Sequence, residues 1–172
     1  MIAETAPALL EDRAIDPSDQ ACLHEFLMRC PDYFHRLTGQ FPCERHARQI
    51  VDEAVQWHAA GLGVYRQYRT QGGTLIGIST AHFIASPVRT YDLGLLLIRP
   101  EYRGQGWGTT IMARIVTAAR MQRCKRIALK VMLDNPHALS FWRKQGFVEM
   151  GDAGTEVYGQ VAHASQKMAL DI

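Results

Sequence analysis

Up to about Gly61 the apolar positions recur with helical spacing. Asp16-Pro17-Ser18-Asp19 predicts a helix start, with Asp as cap and Pro in the first turn. Cys22, Leu23, Phe26 and Leu27 then share one helical face, and Pro31 predicts the end of that run. A looser stretch carries Tyr33 and Phe34 towards Gly39 and Pro42. A second helix follows, with Ala47, Ile50, Val51, Ala54 and Val55 as its apolar stripe, ending near Gly61.

From Val64 the period becomes that of strands. Residues 64–69 are β-rich, Gln71-Gly72-Gly73 is a turn, and Leu75 to Ile78 begins the return strand. Pro87 marks the next break. Residues 91–98 form a near-continuous apolar strand, which predicts a central position covered on both faces. A helix over about 109–121 turns Ile111, Ile115, Ala118 and Ala119 inward. Residues 127–133 form a strand and 138–145 a short helix. Gly146-Phe147-Val148 opens another strand, and a last strand lies within 157–170. The short apolar lead Ala8-Leu9-Leu10 has no element assigned to it. Helices, a hairpin and then β-α-β-α-β-β describe a mixed α/β fold of the α+β type, one domain over residues 1–172 with helices on the faces of its sheet.

The bulk properties narrow the function classes. Of 172 residues, 47% are hydrophobic and 21% charged, enough to build a core without a metal or disulfide. The net charge of +2, with both signs interleaved, argues against a nucleic-acid partner held by bulk charge. Cys22, Cys30, Cys43 and Cys124 are scattered without zinc-type spacing, as free thiols in a reducing compartment would be. His24, His35 and His46 recur every eleven residues, but Pro31, Gly39 and Pro42 interrupt any shared helix, so no metal site is expected. No stretch reaches the ~20 apolar residues of a membrane span, and Glu4 stands where a signal peptide needs a base. The expected location is cytoplasmic, with no membrane partner.

The chemistry lies in a strand-turn-helix unit. After Leu97 and Ile98 comes Arg99-Pro100-Glu101-Tyr102-Arg103-Gly104-Gln105-Gly106-Trp107-Gly108-Thr109. Free amides at a helix N-terminus, together with the helix dipole, favour an anion. Glycines remove the side chains that would keep a phosphate away, and Arg103 adds a fork of donors. No lysine follows Gly106 or Gly108, so a Walker loop is excluded. A Rossmann turn needs G-x-G-x-x-G and a longer remaining sheet. Arg103, Gly106 and Gly108 do fit an Arg-x-x-Gly-x-Gly pattern.

That turn, with Asn135-Pro136-His137-Ala138-Leu139-Ser140-Phe141-Trp142-Arg143-Lys144-Gln145-Gly146-Phe147 downstream, resembles the GNAT superfamily of acetyltransferases. The likeness covers about a third of the chain. It implies a largely antiparallel sheet flanked by helices, acetyl-coenzyme A as cosubstrate, no metal, and transfer of acetyl to a primary amine by direct attack. The small-molecule amine is preferred as acceptor. The alternatives are a non-catalytic coenzyme A-binding module and a protein- or tRNA-directed enzyme; a homodimer also fits the family. The resemblance assigns the cofactor diphosphate to Arg103, Gly104, Gln105, Gly106, Trp107, Gly108 and Thr109. It assigns the pantetheine arm to the main chain of Leu97 and Ile98 and to Asn135, and the adenosine phosphates to Lys144. Trp142 stands where many members carry a tyrosine that protonates the departing thiolate, which an indole cannot do. Its expected place is against cofactor or core.

Alkyl amines titrate near pH ~10, so acetylation needs a base or a water chain to one. Asp92 and His82 are the candidates, with Tyr91 beside them. Tyr33, Phe34 and Trp57 are candidates to line the acceptor side. Cys124 has no partner that would make it a nucleophile.

Overall fold

The strand-period segment that opens near Val64 forms the middle of one sheet. In the computed structural model, which describes residues 10–85 and 87–172, β2 (Gly63–Thr70) and β3 (Leu75–Ile84) make an antiparallel hairpin. β4 (Thr90–Ile98) pairs antiparallel with β3, and β5 (Arg126–Met132) lies parallel to β4. The hairpin of β6 (Val148–Tyr158) and β7 (Val161–Asp171) places β7 against β5. With β1 (Leu10–Ala14) on β2, the order is β1-β2-β3-β4-β5-β7-β6. The sheet is mixed and largely antiparallel, as the resemblance implies. The parallel pair needs a crossover, supplied by α4 (Trp107–Met121).

Helices cover both faces. α4 and α5 (Pro136–Lys144) close one core around Tyr91, Ile111, Ile115, Ile127 and Trp142. α1 (Gln20–Met28), α2 (Pro31–Thr38) and α3 (Glu44–Ala59) close the other around Leu23, Phe26, Val51, Ile78 and Leu97. β4 serves both, Leu93 facing the first core and Leu97 the second.

Several boundaries differ from the sequence reading. The apolar lead becomes a strand: Leu10 is buried in β1, while Ala8 and Leu9 lie outside the described residues, as do the first five residues. The pattern could not show this strand, because Asp12 and Arg13 spend their polarity on Arg66, Arg114 and Asp19. Pro31 ends the first run as expected but also starts α2 at a first-turn position, where its missing N–H costs nothing. Val55 is exposed rather than part of the α3 stripe. The middle of β4 is only half-buried, not covered on both faces.

That last difference shapes the site. β4 and β5 share only the pairs Thr90–Arg126, Tyr91–Ile127 and Asp92–Ala128, and then part. The register of β3 against β4 slips between Thr80 and Ala81, opposite Gly94. A side chain at Gly94 would stand 3.2 Å from Thr80 Oγ1, so the bulge needs this small residue. A bulge bends and twists its strand, here where β4 leaves β5.

Candidate active site

The glycine turn leaves β4 through one 3₁₀ turn at Pro100–Tyr102 and reaches α4 at Gly106. Gly104 and Gly106 have φ of 73° and 87°, the left-handed region that glycine enters without strain. No atom lies within 4 Å of a Cβ built on either, so the space above these two residues is open. Residues 103–106 are exposed. No side chain caps α4, which leaves the first-turn amides of Trp107, Gly108 and Thr109 without helical partners. Gln105 braces the turn through a 2.6 Å bond from Nε2 to the Glu101 carbonyl.

Trp107 and Gly108 also have packing roles. The Trp107 indole is buried in the core, edge-on to Tyr102 at 6.4 Å, and anchors the helix start. A Cβ on Gly108 would lie 3.0 Å from Phe141 Cε2 and 3.5 Å from Ile98 Cδ1. Gly108 therefore lets α5 approach α4, a contact extended by Gln145 Nε2 donating to Thr109 Oγ1 at 3.1 Å. Lys144 is exposed one residue before Gln145.

Arg103 joins the end of β4 to α2. Its Nε donates to the Ile98 carbonyl at 2.8 Å, and its Nη1 meets Asp32 Oδ2 of α2 at 2.5 Å. Partial desolvation works to raise the Asp32 carboxyl, but the Arg103 bond holds it below the ordinary carboxylate range. Asp32 thus occupies the Arg103 guanidinium donors. Asp32→Asn is expected to tighten coenzyme A binding by roughly two- to fivefold in calorimetry, since an exposed pair is worth ~0–1 kcal/mol. Unchanged or weaker binding would show that the two do not compete.

The ladder decides which backbone groups face the gap. Arg99 N–H donates to the Ile76 carbonyl at 2.9 Å, and antiparallel pairs alternate, so Leu97 also bonds inward to Ile78. Leu96 and Ile98 direct their peptide groups outward. Of the expected pair Leu97 and Ile98, the register turns the peptide group of Ile98 towards the gap and that of Leu97 towards β3. Asn135 caps α5, its side-chain oxygen accepting from Ala138 N–H at 3.2 Å, which leaves its amide donors available. Trp142 is a core residue, with Phe141 and Phe147 edge-on at 4.8 and 5.2 Å.

At the inner end of the gap stand Asp92, the last residue paired with β5, and His82, directly opposite it in β3. Burial raises the Asp92 carboxyl above its usual range, opposed by His82 and Lys130. The His82 ring lies 4.2 Å from the Trp57 ring, and its Nε2 is 3.1 Å from the Tyr65 hydroxyl. Tyr65 in turn donates to Glu53 Oε2 at 3.0 Å. Tyr91 points into the opposite core, fully buried, with its hydroxyl unpartnered among the described residues; burial raises this phenol well above its usual range. It does not reach the acceptor face. Cys124 is buried and raised in the same sense.

Tyr65, Glu53, Asp32 and Leu96 stand here without a motif that singles them out in the sequence. The hairpin turn offered a signal for Tyr65: its register puts Gly63 opposite His82, and Tyr65 is the diagonal neighbour. Glu53 and Trp57 are an i,i+4 pair on α3.

A parallel strand pair that parts beside an uncapped glycine turn is the architecture of an acyl-coenzyme A N-acyltransferase fold. Residues 25–147 match the acetyltransferase (GNAT) family, and the chain belongs to it. Thialysine N-epsilon-acetyltransferase of Sus scrofa is 28% identical over 85 residues, 48% of this chain and 50% of that protein. The chain thus matches about half the length of such curated relatives. The Salmonella typhimurium acetyltransferase that modifies the N-terminal serine of ribosomal protein L7/L12 superposes with a TM-score of 0.83, at 19% identity over 96% of each chain. Spermidine N-acetyltransferase from Vibrio cholerae, solved with coenzyme A and spermine, gives 0.78 at 18% over 96% of each. Acetyl-coenzyme A is the cosubstrate this family implies. The open space at Gly104 and Gly106 fits it, as does the edge of β4 beyond Asp92, which β5 leaves unpaired and where Arg103 holds the Ile98 carbonyl.

Proposed function

We propose that this chain is an N-acetyltransferase that moves acetyl from acetyl-coenzyme A to a primary amine of a small molecule by direct attack in a ternary complex. The observation that carries this reading is the gap after Asp92 and Ala128, with an open glycine turn at its outer end and an acid and an imidazole at its inner end. The amides of residues 105–109, with Arg103, would hold the diphosphate. The outward peptide groups of Leu96 and Ile98 would pair with the pantetheine arm, joined by the Asn135 amide, and Lys144 would serve the adenosine phosphates. Bound there, acetyl-coenzyme A supplies an activated thioester.

The residues at the inner end do the rest. Asp92 attracts a cationic acceptor, and His82 takes its proton. Trp142 cannot donate a proton, and an alkyl thiolate, with a thiol pKa of about 8.5, leaves without much help. The small acceptor is supported by how closely α2 approaches the β6–β7 hairpin. A Cβ on Gly159 would stand 2.9 Å from the Thr38 carbonyl, and one on Gly39 3.3 Å from Val161. His163 of β7 also ties α2, 3.0 Å from the Leu37 carbonyl, and the turn after β5, 3.2 Å from Asp134. Among the described residues no helix is long and apolar enough to cross a membrane. Four free cysteines suit a reducing cytoplasm.

The test is free-thiol release across a panel of diamines, amino acids and peptides with free N-termini. Turnover of a small amine is expected. Turnover of peptides alone would make the enzyme protein-directed, and coenzyme A binding without any thiol release would overturn catalysis.

A further inference from the structure

His82 is held from behind, and the chemistry of its holders determines which ring atom is free. Glu53, Tyr65 and His82 come from α3, β2 and β3, and form one chain: carboxylate, hydroxyl, imidazole, with steps of 3.0 and 3.1 Å. A tyrosine hydroxyl has a single hydrogen, and an ionised carboxylate accepts only. The Tyr65 hydrogen therefore goes to Glu53. The Tyr65 oxygen is left as an acceptor, so the ring nitrogen facing it, Nε2, must carry the hydrogen. In a neutral imidazole the other nitrogen then has the lone pair.

We propose that Tyr65 and Glu53 form a positioning relay behind His82 that fixes its Nε2–H tautomer and leaves Nδ1 as the proton-accepting atom. This rests on the reading of His82 as the base. Tyr65 and Glu53 are positioning residues, since they act through His82. No described residue bonds Nδ1. The Trp57 ring at 4.2 Å and the tightness of Gly63, where a Cβ would stand 3.1 Å from His82 Cδ2, restrict the imidazole. Tyr65 is itself buried, and burial, then Glu53, pushes its phenol far above the usual range, so it keeps its hydrogen and does not compete as the base.

The proton balance is simple. The acceptor ammonium gives one proton to Nδ1. The resulting imidazolium keeps Nε2–H on Tyr65, whose hydroxyl still points to Glu53, so the new positive charge faces a carboxylate through one hydroxyl. Return of that proton from Nδ1 to water resets the base. The charged and titratable groups around His82 are Glu53 on α3, Tyr65 on β2, Asp92 opposite it on β4, and Lys130 on β5 acting on Asp92.

Two measurements test this. In the ligand-free protein, long-range ¹H–¹⁵N correlation of the His82 ring, assigned by its loss in His82→Ala, should show the Nε2–H tautomer. Tyr65→Phe should give a mixture of tautomers. Glu53→Gln should move the rising limb of the kcat profile to lower pH by about 0.5–2 units, the Coulomb effect of a charge roughly 6 Å away, and leave the acceptor KM within about twofold. The sign follows because losing the carboxylate disfavours the imidazolium. An Nδ1–H tautomer in the wild type, or an unmoved limb in Glu53→Gln, overturns the relay while a low kcat in His82→Ala leaves the function standing. Full activity in His82→Ala overturns the base, and the relay with it.

Discussion

Gly106→Val is expected to weaken acetyl-coenzyme A binding by about a hundredfold or more while the protein stays folded. Gly106 caps α4 at φ 87°, and its Cβ would project into open space. A branched residue there is strained by ~1–2 kcal/mol, a tolerable fraction of a typical 5–15 kcal/mol stability. The same side chain would occupy the position from which an anion reaches the free amides. Losing two charge-assisted bonds at about 1.5 kcal/mol each removes roughly 3 kcal/mol, or two decades of affinity. Gly108→Val should behave differently. Its Cβ meets Phe141 at 3.0 Å, so the branched side chain overpacks the α4–α5 contact. A cost of about 1–3 kcal/mol, or roughly 2–10 °C in Tm, is expected there, with a smaller direct effect on the anion. Calorimetric titration and thermal melts of both variants check the contrast. Equal effects on affinity would mean that the glycines do not divide their work in this way.

His82→Ala is expected to lower kcat by about 10²–10⁴, the usual contribution of a positioned base, and to remove the rising limb of the pH–rate profile. The base must be unprotonated to act, so the rate climbs with pH through its titration, and the variant should lack that climb. Asp92→Asn should keep the limb but shift it to lower pH, because removing a facing negative charge makes the imidazolium less favourable. The stopped-assay profile of both variants separates the roles. If Asp92→Asn loses the limb and His82→Ala keeps it, the carboxylate, raised by burial, is the base instead.

The sequence carried most of this fold, for physical reasons that can be named. Helical stripes at Leu23-Phe26-Leu27 and Ala47-Val51-Ala54 and the apolar run of β4 are visible because burial on one or two faces imposes a period. β1 was not visible, since an edge strand whose polar residues pair across the sheet has no alternation to read. The strand-turn-helix form of the glycine turn could be read from residue types alone. The separate packing role of Gly108 could not, because it depends on Phe141, 33 positions further along the chain. Which of Leu96 and Leu97 turns its peptide group to the gap depends on ladder register, which side chains do not encode. His82 and Asp92 were legible as polar residues on neighbouring strands. Tyr65 and Glu53 were not, since their partnership arises only when α3 packs over the hairpin.

The most direct measurement is a crystal structure of the chain with coenzyme A. The diphosphate is expected within hydrogen-bonding distance of the amides of residues 105–109, with Arg103 turned from Asp32 towards it, and the pantetheine along Leu96 and Ile98 in the gap between β4 and β5. Coenzyme A bound elsewhere, with the turn at Gly104 and Gly106 empty and β4 unpaired along that edge, would contradict that placement.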